Sequence, residues 1–158
     1  MAPGKPLRVL IVEDEALLAM ELESLVEDCG HEVVGWAPSA DAAMDMLGRT
    51  QAELAFVDVQ LQNGTSGIEV ARHIRERRPC MVVFLTANPK QLPEDFVGAC
   101  GVIPKPYTIN GLLSCMAYLE QGIRNPPPSL PRPHAFTLSP SYQQARGGRD
   151  GAPTQPQL

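Results

Sequence analysis

Three carboxylates, a hydroxyl and an ammonium occupy the same kind of place in this sequence, each at the end of a short apolar run. Glu13 and Asp14 follow LRVLIV, Asp58 follows LAFV, Thr86 follows MVVFL, and Lys105 follows GVIP. If those runs are neighbouring strands, the five side chains converge on one rim. Three carboxylates brought together repel unless a cation joins them. An all-oxygen set suits a hard divalent ion, and Mg²⁺ typically takes one or two carboxylates directly and keeps its waters. Lys105 supplies further positive charge. Taken singly, each residue reads as a strand-end cap, a helix cap or a solvated lysine. The chemistry lies in the set, because it needs five suitable residue types at the ends of four particular strands.

The elements that must position them follow from the hydrophobic pattern. Apolar runs at 7–12, 33–37, 54–57, 81–85 and 101–103 are too short for helices and mostly apolar throughout, as in parallel strands covered on both faces. Between them lie stretches with helical periodicity at 15–29, 39–47, 67–78, 93–99 and 108–123. Leu18, Leu22, Leu25 and Cys29 mark the inner stripe of the first, and Gly30 suits the position after it. Ser39 is placed to cap the second. Ile109, Leu112, Leu113, Met116 and Ala117 make the apolar stripe of the last. Strict βα alternation implies a parallel sheet with helices on both faces and right-handed crossovers. The sequence therefore predicts an α/β, flavodoxin-like (βα)5 doubly wound sheet of strand order 2-1-3-4-5, whose ligand site lies beyond the carboxyl ends of the strands.

Charge and composition divide the chain. Residues 1–123 hold nine Lys/Arg against seventeen Asp/Glu, whereas residues 124–158 hold four Arg, one Asp and eight of the sixteen prolines. This predicts a short extension at 1–6, a folded acidic domain at 7–123 and a disordered Pro-rich tail at 124–158. An acidic domain is a poor binder of nucleic acid or anionic membrane, and neither is expected as a direct partner. The four cysteines form no CxxC pair and have no neighbouring His cluster, which reads as reduced thiols in a cytoplasmic protein. His31, His73 and His134 lack metal-ligand spacing, and the Arg72, Arg75, Arg77 and Arg78 cluster reads as a solvated helix end.

VLIVEDE (9–15), AFVDVQLQNGTSGIEVARHIR (55–75), VVFLTAN (82–88) and VIPKPY (102–107) resemble the receiver domain of two-component response regulators, in order and spacing, across residues 7–123. The resemblance implies Asp58 as phosphoacceptor and catalytic nucleophile toward a phosphohistidine. It implies Glu13, Asp14, Asp58 and the Gln60 backbone carbonyl as the Mg²⁺ site, with Asp14 ligating directly and Glu13 through water. Thr86 then matches the switch hydroxyl, and Lys105 the lysine that contacts the phosphoryl group, followed by a cis bond to Pro106. The implied partners are a histidine kinase or histidine phosphotransfer protein and a downstream protein, with the chain a monomer or weak dimer and a signalling domain rather than an enzyme.

Val102 stands where the family usually carries its aromatic switch residue, while Tyr107 follows Lys105-Pro106. With Phe84-Leu85-Thr86 this resembles an atypical alphaproteobacterial subgroup, some of whose members act in general-stress phosphorelays. Tyr107 is then either a switch residue or an aromatic that seats the last helix. Two other readings are a non-phosphorylated pseudo-receiver used as a binding module, and a receiver fragment of a larger kinase or regulator. A stand-alone Mg²⁺-dependent phosphoester hydrolase would want a second acid two residues after the nucleophile, where Gln60 stands.

Overall fold

The computed structural model describes residues 5–61, 66–77, 79–140 and 142. Residues 62–65 of the second motif, Arg78 of the basic cluster and the tail from 143 lie outside the described residues. The strands are β1 (Arg8–Val12), β2 (Glu32–Ala37), β3 (Leu54–Asp58), β4 (Met81–Thr86), β5 (Gly101–Pro104) and β6 (Thr137–Leu138). The helices are α1 (Ala16–Asp28), α2 (Ala40–Arg49), α3 (Gly67–Arg77) and α4 (Ile109–Arg124). The sheet runs β2-β1-β3-β4-β5-β6. Its first five strands pair in parallel, in the expected order 2-1-3-4-5.

Alternation along the strands divides the core. Val9, Ile11, Leu54, Phe56, Val83, Leu85 and Ile103 pack with α1 and α4. Leu10, Val12, Ala55, Val57, Phe84 and Val102 pack with α2 and α3. Successive strand side chains point to opposite faces, so a strand covered on both sides must be apolar at every position. Ser39 caps α2 by accepting from the Ala42 amide at 3.1 Å, and Thr108 caps α4 through the Gly111 amide at 2.9 Å.

Three local expectations are corrected. The stretch 93–99 is not an α-helix; residues between β4 and β5 form two 3₁₀ turns, Pro89–Gln91 and Phe96–Gly98. Phe96, Val97 and Gly98 all have left-handed φ, at 54°, 52° and 82°. The Asp95 carboxylate accepts from the Val97 amide at 3.0 Å, a local bond that competes with helix continuation. Seven residues ending near a glycine supply too few helical bonds to outweigh it.

The last helix turns a different face inward. Leu112, Cys115, Met116, Tyr118 and Leu119 are buried, while Ile109, Leu113 and Ala117 face outward. The third correction concerns the tail. Disorder is expected from 124, yet α4 runs to Arg124 and the chain folds back to lay β6 antiparallel on β5, pairing Gly101 with Leu138 and Val102 with Thr137. Phe136 and Leu138 join the core beside α4. Two apolar residues at alternate positions, on a proline-stiffened segment with little chain entropy to lose, are enough for local packing. Gly101 permits the close approach: a Cβ there would stand 2.3 Å from the Thr137 carbonyl oxygen and 2.7 Å from the Phe136 ring.

Candidate functional site

Sheet register assembles the rim. Val12 pairs with Val57, Asp58 with Leu85, and Thr86 with Pro104, so the residues at or just past each strand end are lateral neighbours. Backbone bonds extend the ladder past the strand ends: the Glu13 amide donates to Ala37 O at 3.0 Å, and the Lys105 amide to Thr86 O at 2.8 Å. All five residues at the strand ends are therefore brought together, as their spacing requires.

Lys105 Nζ donates to Asp58 Oδ2 at 2.9 Å and to Glu13 Oε1 at 3.0 Å. The other Asp58 oxygen, Oδ1, accepts the Gln60 amide at 2.9 Å. The other Glu13 oxygen, Oε2, accepts the Glu15 amide at 3.1 Å. Asp58 and Glu13 are buried, and the Lys105 side chain is 17% exposed. Glu13, Asp14 and Asp58 each bring one carboxylate oxygen within 4.8 Å of the others. Asp14 alone of the three is partly exposed.

Burial pushes the Glu13 carboxyl up to about 7, against the Glu15 amide and Lys105, which pull it down. Burial would lower the Lys105 ammonium, but its bonds to Asp58 and Glu13 outweigh this and hold it above the ordinary lysine value. Two carboxylates on one ammonium leave net negative charge in a shielded rim. A donor set of three clustered carboxylates, hard and all-oxygen, fits Mg²⁺.

Thr86 is buried, and its Oγ1 accepts the Asn88 amide at 3.0 Å. The Lys105–Pro106 bond is cis. Tyr107 packs half-buried against the core cluster shared by α1 and α4, and burial is the first cause raising its phenol. Gln60 is exposed, and its side-chain amide donates to Gln91 Oε1 at 3.0 Å, linking the loop after β3 to the loop after β4.

Several contributors carried no usable signal in the sequence. The Trp36 indole donates to the Glu13 carbonyl at 2.7 Å, pinning the backbone between the two acidic residues from the end of β2. The amides of Glu15, Gln60 and Asn88 act through backbone, which no residue type reveals. Gly67 opens α3 with its α-carbon against the Asp58 peptide: a Cβ there would lie 2.0 Å from the Asp58 carbonyl oxygen. A glycine at a loop-to-helix junction was the one available clue.

Residues 9–117 match the family model described as the response regulator receiver domain. The chain belongs to that family. The receiver is 30% identical over 129 residues to the phyllosphere-induced regulator PhyR of Methylorubrum extorquens, covering 78% of this chain and 48% of the relative. It superposes on the solution structure of the Erythrobacter litoralis PhyR receiver domain with a TM-score of 0.69 at 29% identity, covering 79% of this chain and 97% of the other. A crystal structure described as the anti-anti-sigma factor PhyR of Bartonella quintana matches at 32% identity and TM-score 0.60, over 70% of this chain and 45% of that one. The receiver thus spans about half the length of the full PhyR relatives it matches. It is a signalling domain of two-component systems rather than a catalytic enzyme. Among the described residues, no helix is long and apolar enough to cross a membrane.

Proposed function

We propose that this receiver accepts a phosphoryl group on Asp58 from the phosphohistidine of a histidine kinase or phosphotransfer protein and relays the signal by protein contact. The observation that carries this reading is the Lys105 ammonium lying 2.9 Å from Asp58 and 3.0 Å from Glu13 on one rim of the sheet. An Asp58 carboxylate oxygen attacks phosphorus, the phosphorus–nitrogen bond breaks, and the donor imidazole leaves neutral after taking up a proton. The Gln60 amide fixes one carboxylate oxygen, so the nucleophile is oriented before the donor arrives.

Asp14, Asp58 and the Gln60 carbonyl would hold Mg²⁺, with Glu13 acting through water. The ion supplies charge neutralisation on the phosphoryl oxygens. Lys105 transfers its bonds from the free carboxylate to the phosphoryl group, and the Thr86 hydroxyl donates to the same group as the switch. Tyr107, against the start of α4, passes the rearrangement to that helix.

The surface fits a protein donor. Leu17 and Met20 on α1 and Ile109 and Leu113 on α4 are exposed on helices that begin just past the rim. Exposed apolar side chains on helices that start beside a charged site offer area that another protein can bury. The PhyR relatives, and the subgroup resemblance at Phe84-Leu85-Thr86 and Tyr107, support a place in a stress-type phosphorelay. All four cysteines are free thiols, in keeping with a cytoplasmic setting.

The test is incubation with Mg²⁺ and acetyl phosphate followed by intact mass. One phosphoryl group should add to the wild type and none to Asp58→Asn. An unshifted mass in folded, Mg²⁺-bound wild type would make the domain a binding module instead.

A further inference from the structure

At the amino ends of β4 and β5, the far end of the sheet from the carboxylate rim, the core leaves a space unfilled. This apolar cavity measures about 160 Å³ and is lined by Met81, Cys100, Tyr118, Leu119, Leu138 and Tyr142. Gly122 in the last turn of α4 and residues 126–128, all proline, complete its wall. Among the described residues that line it, none is Asp, Glu, Lys, Arg or His. Burial pushes the Cys100 thiol up to about 12 and is the first cause raising the Tyr142 phenol, so both stand there uncharged. Protein interiors pack to the density of organic crystals, and voids larger than a water molecule are few. In another protein an apolar cavity of about 150 Å³ stays dry and takes up benzene, because water inside it would lack hydrogen-bond partners.

The walls are not free to collapse inward. One is the parallel sheet, where Met81 pairs with Leu54 and the Cys100 amide donates to Val82 O at 2.8 Å. Another is α4, whose Tyr118 and Leu119 are buried. The third is the run of prolines, each with its φ fixed by the ring. Gly122 is where a side chain would have filled the space. A Cβ there would meet only Pro128 Cγ, at 3.7 Å, and the residue is not left-handed, so neither a clash nor the backbone requires glycine. Glycine also weakens a helix. The rest of the sequence offers little to fill the cavity: residues 143–158 hold one large apolar side chain, Leu158, together with Arg146, Arg149 and Asp150.

We propose that this cavity binds a small uncharged molecule of about one aromatic ring. The rings of Tyr118 and Tyr142 suit edge or face contact with such a ligand, and the Met81 and Cys100 sulfurs are polarizable partners for it. A charged group would find no counter-ion in the lining and would lose its hydration on entry. The site shares no residue with the rim, and the proposal stands apart from phosphorylation of Asp58.

The probe is toluene, titrated into the full chain and followed by methyl-resolved NMR. The methyl signals of Met81, Leu119 and Leu138 should shift saturably with a single Kd. Those of Leu10 and Leu47, in the core on the other face of the sheet, should stay in place. Benzoate, the same ring carrying a carboxylate, should bind at least tenfold more weakly. Gly122→Leu favours the helix and lays a side chain against Pro128, and it too should lose at least tenfold in toluene affinity. Shifts that are absent from the wild type, spread over both faces of the sheet, or equal for toluene and benzoate would overturn the proposal. Undiminished toluene binding by folded Gly122→Leu would do the same, and the wild-type titrations decide the matter without that variant.

Discussion

Gly67→Ala is expected to damage both the fold and the placement of Asp58, for a reason that is purely steric. The new Cβ would stand 2.0 Å from the Asp58 carbonyl oxygen and 2.7 Å from Val57 Cγ1, where ordinary contact begins at 3.4 Å. The start of α3 and the Asp58 peptide must therefore separate by roughly 1.4 Å. Overpacking of this kind costs about 1–3 kcal/mol. The 2.8 Å bond from the Gly67 amide to Val59 O is stretched in the same movement, which costs about another 1 kcal/mol. A total of roughly 2–4 kcal/mol corresponds to a Tm lowered by about 5–15 °C in a chain of this size. Misplacing a nucleophile by about 1 Å costs on the order of 100-fold in rate, and that loss should appear in acetyl phosphate-driven modification of Asp58. Gly48→Ala is the matched control: the same methyl in α2 meets nothing within 4 Å. It should stabilise by about 0.5–1 kcal/mol through helix propensity alone. Thermal melts and intact-mass time courses on both variants decide the matter. If Gly67→Ala melts with Gly48→Ala and is modified at the wild-type rate, the close approach of α3 to Asp58 is wrong.

Three further outcomes follow from the same geometry. Both Glu13 oxygens are engaged by Lys105 and the Glu15 amide, whereas Asp14 makes no hydrogen bond among the described residues. Asp14→Ala should therefore weaken Mg²⁺ binding more than Glu13→Ala in calorimetry, and equal losses would undo the division of roles. Trp36→Phe removes the 2.7 Å bond to the Glu13 carbonyl and should cost about 1 kcal/mol in denaturant titration; in wild type, indole emission should respond to Mg²⁺, and a silent indole would mean that this carbonyl does not sense the site. Bonding to Arg124 is the main cause holding the Glu53 carboxyl below its ordinary value. Its contribution to stability is thus complete above the unfolded value of about 4.3 and is lost as pH falls through the lower folded value. Arg124→Ala should flatten the acid limb of a stability–pH curve by about 0.5–1 kcal/mol, given a pair that is only partly buried; an unchanged limb would dismiss the pair as a stabilising element.

Much of the site was legible because of how parallel sheets work. When strands covered on both faces must be apolar throughout, the first polar residue after each run marks the strand's end, and Glu13, Asp14, Asp58, Thr86 and Lys105 announce themselves at once. Right-handed crossovers leave few possible strand orders, so one-dimensional spacing already implied a shared rim. Residue type then supplied the chemistry, since carboxylates, a hydroxyl and an ammonium have few joint uses.

What tertiary structure decided were competitions between local preference and distant contact. Around Phe96 and Val97, helix formation lost to the Asp95 carboxylate and a left-handed backbone, a balance too close for periodicity to settle. In α4, two apolar stripes overlap, and the burial of Leu112, Cys115 and Leu119 rather than Ile109 and Leu113 was fixed by the sheet and the returning tail. The tail has a composition typical of disorder as far as its prolines go. Yet Phe136 and Leu138 order it because Gly101, more than thirty residues upstream, lacks a side chain at the point of contact. The Trp36 indole reaches the Glu13 carbonyl from the neighbouring strand, a contact that no local pattern in the sequence reveals. The sequence by itself determined the sheet and the rim chemistry, because both are set by short repeating patterns. Which backbone groups orient the carboxylates, which helix face is inward and what covers the edge of β5 depend on contacts between residues far apart in the chain, and those exist only after folding.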